Sequence, residues 1–346
     1  MTAGALPGTR HGHLKNLSMW LVLAAALLGL CVVSVAVGAR DIPLGTVMDA
    51  VRSITVETAA APEELIIHQT RIPRTLAGLV VGAALGTAGA LIQALTRNPL
   101  ADPGILGVNA GAAFAVALGI GVFGVSSIGG YVWFGFGGAF IVTFGVYAIA
   151  ASGRGPVDPI RVTLAGVALG AVLTGLTTGL TLLDSQTFDQ MRFWAAGSLA
   201  GRETEMIVTV LPFLVLGLVI ALWCTGALNA IALGDDVATA LGARIGLTRA
   251  LVVLAVTLLA GTATALAGPI GFVGLMIPHV ARWITGPDQR WIFAYTLVLA
   301  PLLLLTSDVL GRLIMRPGEV PVGIVTALVG APVMILLVRR RKASML

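Results

Sequence analysis

Side chains that could do covalent or redox chemistry are scarce in this sequence, and none is placed beside a partner. The two cysteines, Cys31 and Cys224, lie in separate apolar runs without metal-ligand spacing, and no disulfide between them is expected. The histidines are His11, His13, His68 and His279. The first two form a short polar start with Arg10 and Lys15. His279 stands between Pro278 and Arg282 with no nucleophile or acid nearby, which suits a structural hydrogen bond rather than catalysis. The only lysines are Lys15 and Lys342, and neither ends a G-x-x-x-x-G-K-[ST] run, so the chain lacks the loop that cradles nucleotide phosphates. The expectation is no catalytic residue, no metal and no cofactor in this chain, and no enzyme activity of its own.

Polar information gathers instead at turns and helix ends. Asn98-Pro99 and Asp102-Pro103-Gly104 are turn signals that end one helix and start the next. Gln93 and Asn109 flank them near helix ends. A second cluster runs from Ala227 to Gly242. Gly234 precedes Asp235 and Asp236, and acids at a helix start meet free N–H groups and the positive end of the helix dipole. Val237 and Leu241, four apart, would share one face. A short helix with a small apolar face suits a partner's groove, and equally a capped loop helix with no partner. Arg71, Arg74 and Arg312 fall at helix ends, where arginine can reach water as an interfacial anchor.

The elements that must position these residues are apolar. The chain has 346 residues, 57% hydrophobic and 11% charged, against about 25% charged in an ordinary soluble domain. That composition excludes a secreted protein, a soluble enzyme and a disordered chain. The net charge of +5 is scattered between apolar runs, so it reads as topogenic charge and not as a nucleic-acid surface. Charge-free stretches lie at about 19–38, 75–96, 103–153, 162–183, 206–234, 250–278, 291–307 and 320–338. The third must fold back once, and Gly268-Pro269-Ile270-Gly271 breaks the sixth, so about ten crossings result, each of roughly 20 residues. The helix after Pro269 looks short, and whether it spans fully is open. The first run is taken as a retained helix rather than a cleaved signal.

An even count puts both termini on one side. The basic cluster Arg339, Arg340, Arg341 and Lys342 places that side in the cytoplasm. The organisation is then a cytoplasmic segment 1–18, one transmembrane domain 19–338 and a basic tail 339–346. Outer loops fall at about 39–72, 120–130, 184–205, near 268 and at 308–319, with short surface helices at 47–53 and 63–70. Gly78, Gly82 and Gly86, and further on Gly166, Gly170, Gly175 and Gly179, carry the small-residue spacing that lets helices pack closely in lipid. No Asp, Glu, Lys or Arg falls near the middle of a span, which argues against a proton relay. Two similar halves are not visible. If transport is uphill, its energy must come from a separate polypeptide.

The polar blocks together resemble the FecCD-type permeases, the membrane subunits of ABC importers for ferric siderophores, haem and vitamin B12. The resemblance runs from Arg71 to Gly78 and Gly89 to Gly111 through Asp158 to Gly166, Arg192 to Leu199, Leu233 to Gly242, Gly268 to Arg282, Ser307 to Arg312 and Pro317 to Pro332. It implies an all-α polytopic membrane protein of ten transmembrane helices with type II ABC importer permease architecture, in the bacterial inner membrane. It implies as partners a second permease subunit, identical or homologous, two ATPase subunits that bind ATP and Mg, and a periplasmic or lipid-anchored siderophore-binding protein. The segment 227–242, with Gly234, Asp235, Asp236, Val237, Leu241 and Gly242, would be the ATPase-coupling segment. Arg71, Arg74 and Arg312 would face acidic residues of the binding protein, oriented by Asp308 and Glu319. Gln93, Asn109 and Thr174 would line the pathway. The wording of the blocks favours ferric siderophore as cargo; the alternatives are cobalamin or haem import, or a secondary carrier working without ATP.

Overall fold

Gly82 and Gly89 explain how the central helix of this protein is packed. The computed structural model describes residues 7–38, 40, 42–52, 62–152 and 159–341. The first six residues, Asp158, and Lys342 with the rest of the tail lie outside the described residues. Helix α4, Ile72–Thr96, crosses the middle of the bundle, with α11, Ile245–Ala267, α12, Val273–Thr285, and α13, Gln289–Ile314, packed around it. A Cβ on Gly82 would lie 2.6 Å from the Pro301 backbone of α13, and one on Gly89 would collide with the Gly274 carbonyl of α12. Gly78 and Gly86 meet Leu305 and Ala300 of α13 in the same way. The glycine stripe therefore brings helices into near-backbone contact, where lipid offers no hydrophobic drive and close packing must supply the attraction.

The remaining elements are all helical among the described residues. They are α1, Pro7–Ala36; α2, Leu44–Arg52; α3, Pro62–Ile66; α5, Val108–Gly121; α6, Ile128–Ala151; α7, Pro159–Leu183; α8, Ser185–Ala195; α9, Thr204–Ile231; α10, Asp235–Ala240; and α14, Val322–Arg341. Among the described residues seven helices are long and apolar enough to cross a membrane, and the apolar parts of α5, α12 and α14 are shorter. The charge-free stretches predict about ten crossings; the described residues give seven clear apolar spans plus these shorter helices. Pro269 to Gly271 are not helical, and α12 is a short helix of 13 residues.

The structure moves three boundaries. Helix α4 does not begin in a loop: α3 runs into it through a π-helical turn at Ile67–Arg71, so 62–96 is one continuous helical run. Helix α13 extends to Ile314, which places Asp308 and Arg312 inside it and not in the outer loop read for 308–319. The loop at 184–205 holds α8, opened by Asp184, whose side chain accepts from the Thr187 backbone N–H. Charged residues marked helix ends in the sequence reading. Here they are buried in pairs, which hydropathy does not register.

The two ends of the bundle carry different work. The end read as outer holds the connections around 40, 122–127, 184–203, 268–272 and 315–321. The end read as inner holds 97–102, 232–244 and 286–288. The start of α1 reaches the inner end, where the Tyr295 hydroxyl donates to the Asn16 carbonyl. Helix α14 starts at the outer end, with the Gly323 N–H donating to the Gly197 carbonyl, and runs toward the inner end.

Candidate functional site

Two ion networks sit at opposite ends of α4. At the outer end, Arg74 lies on the first turn of α4 and faces Asp308 on α13. Its Nε and Nη2 donate to both Asp308 oxygens at 2.7–3.1 Å, and its Nη1 donates to Glu319 at 2.6 Å. Arg312, one turn beyond Asp308, completes the cluster with Nη2 to Asp308 at 2.9 Å. Arg312 also donates to the Ser34 and Val37 carbonyls of α1 and its end, at 2.8 and 2.7 Å. Arg71 donates to the carbonyls of Val35, Ala36 and Arg40. These arginines thus stitch the open C-terminal carbonyls of α1 to α4 and α13, and cations suit that helix end.

This geometry corrects the exposed role read for the three arginines. Arg71, Arg74 and Arg312 are 4%, 5% and 1% exposed. Asp308 binds Arg74 and Arg312 inside the protein and Glu319 binds Arg74, while Arg71 is held by backbone carbonyls. In this conformation no fork is presented to a partner's carboxylate, because each is already bound by internal oxygens.

At the inner end, Asp235 opens α10 and is held from two sides. Arg97, at the end of α4, and Arg249, on α11, each pair with one of its oxygens, the Arg249 contact at 2.7 Å. Arg97 sits at φ +49°, a left-handed turn that ends α4 and directs the chain toward Asp102 and α5. Gly234 and Gly242, at φ +112° and +84°, bracket α10 with turns that suit glycine. Between them Ala238 is buried, while Asp236 is exposed and Val237 and Leu241 are 44% and 65% exposed. A short helix is therefore fixed by its buried side and its first acid, and it offers an apolar edge at the inner end. The sequence identified α10 but not its anchors. Arg97 and Arg249 carry no local signal, since their acid lies 138 and 14 positions away.

The three pathway candidates separate. Gln93 is buried; its Nε2 donates to the Leu275 carbonyl at 3.0 Å and its Oε1 accepts from Arg282. It joins α4 to α12 and faces the interior of the bundle rather than an open surface, which corrects the lining position read for it; a buried amide is held where it finds hydrogen-bond partners. Asn109 is half-buried and accepts from the Thr264 hydroxyl at 2.9 Å, joining α5 to α11. Thr174 alone is exposed, on α7, its hydroxyl donating to the Gly170 carbonyl. His279 makes a 2.6 Å contact from Nε2 to the Pro99 carbonyl, in keeping with a structural role. Of the second glycine pattern, Gly166 abuts the Ile105 backbone, but Gly175 and Gly179 meet nothing within 4 Å in this chain.

Residues 26–340 match the family described as the FecCD transport family. The chain is 47% identical over 340 residues to the ferric enterobactin transport system permease protein FepD of Escherichia coli (strain K12), covering 98% of both chains. It is 43% identical over 278 residues to the siderophore transport system permease protein YfiZ of Bacillus subtilis (strain 168), covering 80% of this chain and 84% of that one. Among solved structures, a metal-chelate type ABC transporter in an inward-facing conformation superposes with a TM-score of 0.81 at 28% identity, covering 93% of this chain and 99% of that one.

Proposed function

We propose, from the premise that this chain belongs to the FecCD transport family, that it is the permease subunit of a bacterial ABC importer that moves a ferric siderophore across the cytoplasmic membrane. One observation carries the reading: similarity to a ferric enterobactin permease at 47% identity over 98% of both chains. ATP and Mg belong to two separate ATPase subunits, and this chain does not hydrolyse ATP. A periplasmic or lipid-anchored binding protein brings the chelate to the outer end. A second permease subunit, a copy or a relative, completes the channel. Both termini face the cytoplasm, as the basic tail directs.

In that assembly α10 is the contact with the ATPase. Val237 and Leu241 enter a groove on the partner, and Asp235 passes the resulting push to α4 through Arg97 and to α11 through Arg249. The chelate passes along a face that includes Thr174 on α7. Weakly polar walls suit this task, because tight binding belongs to the binding protein and release must be easy. Arg71, Arg74 and Arg312 brace the outer docking surface from within.

The test is uptake of radiolabelled ferric enterobactin into proteoliposomes holding the whole assembly. Uptake should require ATP, the ATPases and the binding protein together. Uptake by this chain alone would replace the reading with an ATP-independent carrier. Leu241→Asp should leave the assembly's amount in the bilayer unchanged and abolish ATP-driven uptake; normal uptake in that variant would remove the coupling role of α10.

A further inference from the structure

Arg74 and Arg312 have their charge met by carboxylates inside the protein and Arg71 is held by three backbone carbonyls, but Arg202 has neither arrangement. Arg202 lies between α8 and α9 and is 9% exposed. Its hydrogen bonds go to one acceptor, the Ser198 carbonyl, at 3.3 and 3.4 Å. Among the described residues no carboxylate comes within ion-pair distance of it. Burial lowers its pKa to about 10, which still leaves it charged at neutral pH. A buried guanidinium without a counter-charge is costly, and the cost falls when a carboxylate arrives.

Arg202 also lines an open pocket of about 520 Å³ at the outer end. His68, Gln69, Thr70 and Pro73, at the start of the long helical run 62–96, form one wall, and Glu203 and Glu205, both exposed, belong to the other. The His68 Nε2 is buried without a hydrogen-bond partner. The pocket thus combines one unmet cation set low with two acids near water. A lipid headgroup phosphate would be repelled by Glu203 and Glu205. A folded protein surface can present an acid to Arg202 and bases to the two glutamates at once, and a planar carboxylate matches the guanidinium fork.

We propose that Arg202 receives an acidic side chain of the binding protein, with Glu203 and Glu205 meeting basic groups beside that acid. The proposal rests on the importer reading above. It assigns the docking cation to a residue outside the Arg71, Arg74 and Arg312 set.

The experiment uses the complete transporter in lipid nanodiscs and the binding protein that restores uptake to the wild-type assembly. The dissociation constant is measured at two salt concentrations. Arg202→Gln should weaken binding about tenfold or more and flatten its salt dependence. Arg202→Lys, which keeps the charge, should retain part of the affinity, and Glu203→Gln with Glu205→Gln should weaken it by a smaller factor. Thermal unfolding of each variant controls for folding; should Arg202→Gln fail to fold, the Arg202→Lys and double-glutamine variants decide. Unchanged affinity and salt dependence in the folded variants overturns the proposal. So does a loss seen in nanodiscs of anionic lipid and not in zwitterionic lipid, which would mark a lipid phosphate site. If no binding protein restores uptake to the wild type, the importer reading itself falls.

Discussion

Asp308 is the residue on which the outer network depends. It accepts from both Arg74 and Arg312, and its side chain is 1% exposed. Removing one member of a buried ion network leaves charge uncompensated, typically at about 3–5 kcal/mol. Asp308→Asn should therefore lower the unfolding free energy of the detergent-solubilised chain by about that much. Glu319→Gln should cost less, about 1 kcal/mol, because Glu319 is 30% exposed. Replacing Arg74 and Asp308 together by Met and Leu should recover part of the Asp308→Asn loss. Equal stability of Asp308→Asn and wild type would show that the network contributes nothing. At the inner end the same logic concerns position rather than stability. Asp235→Ala, Arg97→Ala and Arg249→Ala should each reduce ATP-driven uptake, and combining Asp235→Ala with either arginine variant should add little further loss. Additive losses would mean that the arginines act elsewhere than through Asp235.

At the scale of elements, the contrast between α4 and α7 is testable with single methyl groups. Gly89→Ala places its Cβ against the Gly274 backbone and should destabilise the fold by about 1–3 kcal/mol through overpacking. Gly175→Ala meets open space and should be neutral or slightly stabilising in the isolated chain. Thermal unfolding of the two variants checks the difference, and equal effects would refute the close approach of α4 to α12. Helix α8 offers a pH test. Hydrogen bonds from the Thr187 hydroxyl and backbone hold Asp184 below its ordinary carboxylate value. A depressed value stabilises the folded form above the ordinary carboxylate pKa, and that support fades as pH falls through the lowered one. Amide exchange in α8 should therefore rise in acid relative to its neighbours, and Asp184→Ala should show the raised protection loss already at neutral pH. Most of the elements were legible in the sequence because length and the absence of charge define a span. The ends of α4 and α13 were not, because Arg74 and Arg312 are balanced by Asp308 and Glu319, with Arg74 and Asp308 234 positions apart, and a hydropathy reading counts each as a reason to leave the membrane. Helix α10 was legible from Gly234, Asp235 and Asp236, which act locally. The burial of Gln93 and the isolation of Arg202 depend on which helices are neighbours, and no spacing in one sequence records that.

For the whole molecule, exposure is uneven in a way that suits an assembly. Ile160, Leu164, Val167, Val172 and Leu176 on α7 are each more than half exposed, while α4 and α11 are mostly buried. If α7 borders the passage in the paired permease, Thr174→Cys in the assembled importer should react with a hydrophilic maleimide, and the reaction should slow uptake. Absence of labelling in assembly and in isolated chain alike would remove Thr174 from the pathway. The glycine contacts of α4 carry a last consequence. Where two backbones touch, there is no layer of side chains to shear, so α4, α12 and α13 can only travel together as one stiff block. Gly175 and Gly179 of α7 meet no such neighbour among the described residues, so that half of α7 is free of the backbone contacts that lock this block together.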